Sequence, residues 1–269
     1  MRASELMRTN FLAVSIDDTV HSVLGKLQRG KHHSAVVVDS RDRYLGLFDK
    51  DGCLRSRGDL GEMKVRHVLR KTSKLEESTD ISRVAQLLHA ADTHILPVLD
   101  KYKRVAGIVG ARDVLVALID KLRGMKVEEV AAKYPLVLAE TDSLSKAIEL
   151  IRRKKISRIP VVDDKRKLVG IVTRFDLVRE FMMKPVPSRG RGKGGWRGDA
   201  AIPVQTAPST SNIRVADVMA KQVQTVAPSA MVQAAVRKMS EANVSDLVVV
   251  EDGAPVGILT TKDLLRRVA

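Results

Sequence analysis

The chain has 269 residues, a net charge of +15 and only 3% aromatic residues, so any packed core must be built from Val, Ile, Leu, Ala and Met. One cysteine, Cys53, excludes an intrachain disulfide framework and fits a reducing cytoplasm. Neither a signal segment at the N-terminus nor an apolar run of bilayer-spanning length is present, so the expectation is a soluble cytoplasmic protein with no membrane partner.

The charge is uneven: +1 over residues 1–63, +5 over 64–125, +4 over 126–183, +5 over 184–214 and 0 over 215–269. A basic surplus attracts phosphate-rich partners, whether nucleotides, nucleic acid or a membrane surface, and does not choose among them.

In chain order, Gly46-Leu47-Phe48-Asp49-Lys50-Asp51-Gly52 is followed by Gly107-Ile108-Val109-Gly110-Ala111-Arg112-Asp113. Then come Gly170-Ile171-Val172-Thr173-Arg174-Phe175-Asp176 and Gly257-Ile258-Leu259-Thr260-Thr261-Lys262-Asp263. One unit is written four times, and a repeat of this kind sets the architecture. A helical face precedes each copy: Val20, Val23, Leu24 and Leu27; Ile81, Val84, Ala85 and Leu88; Leu144, Ala147, Ile148 and Ile151; Val232, Ala235, Val236 and Met239. Each set falls at i, i+3, i+4, i+7, the spacing of one side of an α-helix.

The third copy is the clearest. Tyr134 to Leu138 reads as a short strand, and Thr141-Asp142-Ser143 offers side-chain oxygens to cap the helix that begins at Leu144. Arg152-Arg153-Lys154-Lys155 closes that helix at the negative end of its dipole. Arg158 to Val162 and Leu168 to Val172 form a hairpin around the polar turn 163–167, and a second helix runs from near Thr173 to about Met183. The order is β-α-β-β-α.

With this order, the apolar-Pro strand Ile159-Pro160-Val161-Val162-Asp163 and the Gly-to-Asp motif, the chain resembles cystathionine-β-synthase (CBS) domain proteins. The expected fold class is α/β: four tandem repeats packed as two pseudo-twofold modules in a disc. Expected domains are repeat one at 1–63 (degenerate), repeat two at 64–125, repeat three at 126–183, a basic Gly/Pro-rich insertion at 184–214, and repeat four at 215–269. The resemblance implies that repeats one and two form one module and repeats three and four another. It implies a regulatory sensor whose clefts bind adenine nucleotides or related adenosyl ligands (AMP, ADP, ATP, S-adenosylmethionine). Such a sensor acts on a separate protein partner and has no required cofactor. A disc can close within one chain or by stacking of a homodimer.

Carried over by motif, the ribose and phosphate contacts are Thr173 and Asp176 in repeat three and Thr260 and Asp263 in repeat four. Chemically, a carboxylate can accept from both hydroxyls of a ribose, and a helix start can face a phosphate. Thr-x-x-Asp is equally a capping box, which stabilises a helix end and binds nothing. Repeat two keeps Asp113 but has Gly110 for Thr, a weaker site; repeat one has Gly52 in place of the carboxylate and reads as structural. There Asp49 and Asp51 would repel a phosphate unless a cation bridges them. The resemblance implies that Arg158 falls at a cleft-facing strand position and meets phosphate, though it reads equally as a solvent-facing strand residue; its counterpart in repeat four is Asp246. His33, His94 and Ser157 share the preceding position, where a histidine could touch a ligand, sense pH or simply pack. His32-His33 alone is a poor metal pair. The segments matching the adenine side are Val137-Leu138 and Gln224-Thr225-Val226.

Residues 184–199, rich in Arg, Gly and Lys around Trp196, can be a solvated linker or a weak nucleic-acid segment using charge and stacking. No nucleophile elbow, phosphate loop or metal-ligand cluster marks an enzyme. Three readings therefore stand: an adenosyl-ligand sensor acting mainly through repeats three and four, a nucleic-acid-associated protein, and a ligand-free scaffold.

Overall fold

The computed structural model describes residues 1–30, 32–49, 62–154, 156–183 and 212–269. Gly52, Asp51, Cys53 and the basic segment 184–199 lie outside them.

Each repeat builds the same small sheet. A short strand runs parallel to the first strand of an antiparallel hairpin: Ala13–Ser15 beside Ser34–Val38, Leu75–Glu76 beside Ile95–Leu99, Leu138–Ala139 beside Arg158–Val162, and Thr225–Val226 beside Asp246–Glu251. A helix connects each parallel pair: Val20–Arg29, Ile81–Ala91, Leu144–Lys154 and Val232–Glu241. All sixteen residues of the periodic faces are buried, none above 6% exposed. Fully burying one such leucine contributes about 1.5–3 kcal/mol. Thr19, Asp80 and Ser143 accept backbone N–H groups at the helix starts, at 3.2, 2.8 and 3.3 Å. The strand of repeat three is shorter than the apolar run suggests. Tyr134 adopts φ 56° and is 91% exposed, and Pro135 has no N–H to donate, so pairing begins only at Leu138.

The repeat glycine has a packing reason. The chain leading into each repeat crosses to its sister and pairs beside that glycine. Arg8 pairs with Ile108, Arg70 with Leu47, Ala132 with Ile258 and Ala220 with Ile171. A Cβ on Gly46, Gly107, Gly170 or Gly257 would meet the carbonyl oxygen of Arg70, Arg8, Ala220 or Ala132 at 2.8, 2.9, 3.1 and 2.9 Å. Repeats one and two thus exchange arms, as do repeats three and four.

In the first module the sheets also meet through Val36, Leu47, Ile95 and Ile108. The modules join through helices. Ile81–Ala91 and Ala111–Ala117 of repeat two pack on Val232–Glu241 and Thr261–Val268 of repeat four, in one continuous core. On the other side Phe175 of repeat three packs against the core of repeat one. Among the described residues no helix is long and apolar enough to cross a membrane.

Candidate functional site

The sites follow from where the motif falls: the end of each hairpin and the first turn of the next helix. Asp176 Oδ2 accepts from the Thr173 N–H at 2.9 Å and the Thr173 hydroxyl at 2.6 Å, and the Asp176 N–H donates back to that hydroxyl at 3.3 Å. Thr260 and Asp263 repeat this at 2.9, 2.6 and 3.2 Å. The capping-box reading is therefore realised at both, and each Thr hydroxyl proton is already given to its own Asp. Asp176 is 7% exposed.

Between the sheets of this second module, Arg158 forms an ion pair with Asp246, both side chains 18% exposed, and its Nε donates to Ser157 Oγ at 3.3 Å. The two aligned counterparts are thus each other's partners. The Arg158 charge is answered by Asp246, and a phosphate would have to compete for it. Of the adenine-side candidates, Val137, Thr225 and Val226 are half-buried. Leu138 is fully buried in the core of repeat three, which leaves its backbone as the part that can face a base.

The first module is arranged differently. Asp113 Oδ2 accepts from the Gly110 N–H at 3.1 Å and pairs with Arg8 Nε at 3.1 Å. In the sister repeat Asp49, at the Thr position of the motif, pairs with Arg70 at 3.3 Å, so a cation does offset that carboxylate. Where module two has Arg158 and Asp246, module one has Ser34 and Ile95. Beside them lies a cavity of about 280 Å3. Among the described residues its charged and titratable lining comprises Arg8, Arg112, His32, His33 and His94, with no acidic side chain. The His33 and His94 rings lie 5.8 Å apart. Repeat four closes the cavity through Asn243, Ser245 and Thr261. Arg112 donates to the Asn243 side chain and, at 3.3 Å, to the Val244 carbonyl. Burial pushes the Arg112 guanidinium down from its ordinary value; nearby Arg8 adds to this and Asp113 opposes it.

Sequence reasoning aligned His33 and His94 at one repeat position without bringing them together, and missed Arg8, Arg112 and Ser34. The signal available was that Arg8 and Arg70 stand five residues after Ala3 and Val65, where Ala132 and Ala220 stand five after Val127 and Val215. Among the described residues no cluster of His, Cys, Asp and Glu could hold a metal.

The CBS domain family model matches residues 3–58, 65–120, 127–183 and 215–269. An uncharacterised protein of Methanocaldococcus jannaschii is 26% identical over 98% of this chain and 61% of its own length. A protein encoded in a ribosomal RNA operon of Thermofilum pendens is 30% identical over 70% of this chain and 59% of its own length. The chain therefore spans about 60% of the length of these relatives. A crystal structure from M. jannaschii, described as an archaeal homologue of g-AMPK, superposes with a TM-score of 0.78, covering all of both chains at 18% identity. That likeness is one of fold.

Proposed function

From a chain that belongs to the CBS domain family, with four such domains along its length, we propose a regulatory sensor that binds an adenine nucleotide or related adenosyl ligand in the second module and signals to a separate protein partner. CBS domain pairs typically bind adenosyl ligands, and CBS-domain proteins are generally regulatory, which supports this reading. The observation that carries the reading is the duplicated Thr–Asp pair. Asp176 and Asp263 stand at the two sister positions of one module, and the arms passing them carry Ala220 and Ala132 rather than arginine. In this reading their carboxylates take the ribose hydroxyls while Val137, Thr225 and Val226 border the base. The helix-cap bonds hold both carboxylates in position before ligand arrives, which lowers the ordering cost of binding.

Calorimetry on the full chain with AMP, ATP and S-adenosylmethionine tests it. At least one ligand should give heat, and Asp176→Ala/Asp263→Ala should weaken that ligand at least tenfold, about 1.4 kcal/mol. No heat with any of the three would leave a scaffold. Unchanged affinity in the double variant would put the site elsewhere.

A further inference from the structure

The hairpin turns of the two modules differ in chemistry. In module one the turns 39–43 and 100–104 abut: Arg43 and Arg104 are bridge partners, and the Tyr44 N–H donates to the Lys103 carbonyl at 3.4 Å. The hydroxyls of Tyr44 and Thr72 lie 2.7 Å apart, which ties the entry segment 70–74 to the same edge. Each turn closes on its own aspartate. Asp39 accepts the Arg41 and Arg43 N–H groups at 2.8 and 3.0 Å and pairs with the Arg43 guanidinium. Asp100 accepts the Tyr102 and Arg104 N–H groups at 2.8 and 2.9 Å and pairs with the Arg104 guanidinium. Both carboxylates are thus used inside their turns. Arg41, Lys71, Lys74, Lys101 and Lys103 are exposed and, among the described residues, form no ion pair. Tyr102, 61% exposed, stands at this edge, with Lys101 Nζ and Arg104 Cζ each 5.1 Å from its ring centre.

Segments 39–43, 70–74 and 100–104 together carry eight Lys and Arg against three Asp. The equivalent segments of module two, 163–167, 220–224 and 251–253, carry four basic and four acidic residues and no aromatic. The surplus is therefore particular to module one and is not a requirement of the turn. It ends along the chain at Glu76 and Glu77. We propose that this edge of module one docks single-stranded nucleic acid, with phosphates on the unpaired cations and a base on the face of Tyr102. An exposed ring bordered by cations offers stacking and charge together, and every base has a face to stack. An acidic peptide would use the cations and leave the ring idle, and a duplex keeps its base faces stacked on one another. The proposal goes beyond the adenosyl reading, because it uses neither the Thr–Asp pairs nor a cleft between sheets.

The probe is a fluorescein-labelled oligothymidylate, titrated into the full chain and read by anisotropy over a series of salt concentrations. Binding should weaken with salt by roughly 0.7 decades per decade for each phosphate contact. Tyr102→Ala should weaken it at least fivefold, while Tyr102→Phe, which keeps the ring, should leave it unchanged. Lys101→Ala/Lys103→Gly should weaken it at least tenfold and flatten the salt dependence; glycine is chosen because Lys103 has φ 64°. Lys165→Ala/Arg166→Gly, the same change in the turn of repeat three, should alter nothing. Should a variant misfold, acetylation of the native chain decides: the probe should protect Lys101 and Lys103 and leave Lys165 reactive. Absence of binding, an equal loss in the repeat-three variant, full affinity in Tyr102→Ala, or equal protection of Lys165 would overturn the proposal. So would an equally tight grip on a duplex of the same length or on a polyglutamate peptide. The adenosyl reading is tested by nucleoside ligands on Asp176 and Asp263, so either can fail alone.

Discussion

The two modules share a fold and differ in where they keep their charge. Module one carries arginines on its crossing arms and small or apolar residues, Ser34 and Ile95, on the facing strands. Module two carries alanines on its arms and the Arg158–Asp246 pair on the strands. In the first, the motif carboxylate Asp113 pairs with the arm arginine and cationic groups line a cavity; in the second, Arg158 pairs with Asp246 and the arms that pass the motifs carry alanine. The same scaffold thus offers opposite chemistry in its two halves through four pairs of positions. Neither half needs a different backbone for this.

The comparison breaks most visibly if the halves are not one cooperative unit. Leu264 of repeat four is fully buried in the core it shares with repeat two. Leu264→Ala should cost about 3 kcal/mol and still give a single denaturant transition, read by circular dichroism. Two resolved transitions would mean that the modules unfold independently. A middle-sized effect comes from exchanging arms. Ala132→Arg/Ala220→Arg should place guanidinium groups on Asp263 and Asp176 as Arg8 sits on Asp113, and should weaken the adenosyl ligand about tenfold. Affinity unaltered by the exchange would remove the arm as the distinguishing feature.

The smallest effect concerns the seam between the modules. Asp92 of repeat two and Lys262 of repeat four pair at 2.9 Å, with side chains 61% and 56% exposed. Burial acts to raise the Asp92 carboxyl, but Lys262, with Arg70 and His94, outweighs it and holds the group below the usual carboxylate range. A carboxyl lowered on folding contributes stability above its unfolded value, about pH 4, and loses it as pH falls through the folded value. Screening at this exposure keeps the contribution under about 1 kcal/mol. Urea denaturation between pH 6 and pH 3 should show an acid-side decline that is shallower in Lys262→Ala; identical slopes would take Asp92 out of the account.

The helical faces were legible because helix period is a local property. Val84, Leu88, Ile148 and Met239 are buried for reasons visible within a dozen residues. The motif glycines were legible as a repeat but not as a packing device, because the backbone that crowds Gly107 arrives from Arg8. The burial of Leu138 was not legible, since a strand residue alternates sides and two paired residues do not reveal which side holds the core. Arg158 and Asp246 were recognised as aligned counterparts, yet alignment does not state contact; only the meeting of two sheets made them an ion pair.

By itself the sequence determined four β-α-β-β-α repeats, the buried side of each first helix and the unequal survival of the Thr–Asp pair, because periodicity and short-range capping depend on neighbours in the chain. The tertiary structure alone decided which carboxylates are answered by arginine, that Arg158 is already paired, and that a cationic cavity opens in module one beside repeat four. Those outcomes depend on arms and sheets brought together across tens to more than two hundred residues, and electrostatic pairing is set by distance in space rather than distance along the chain.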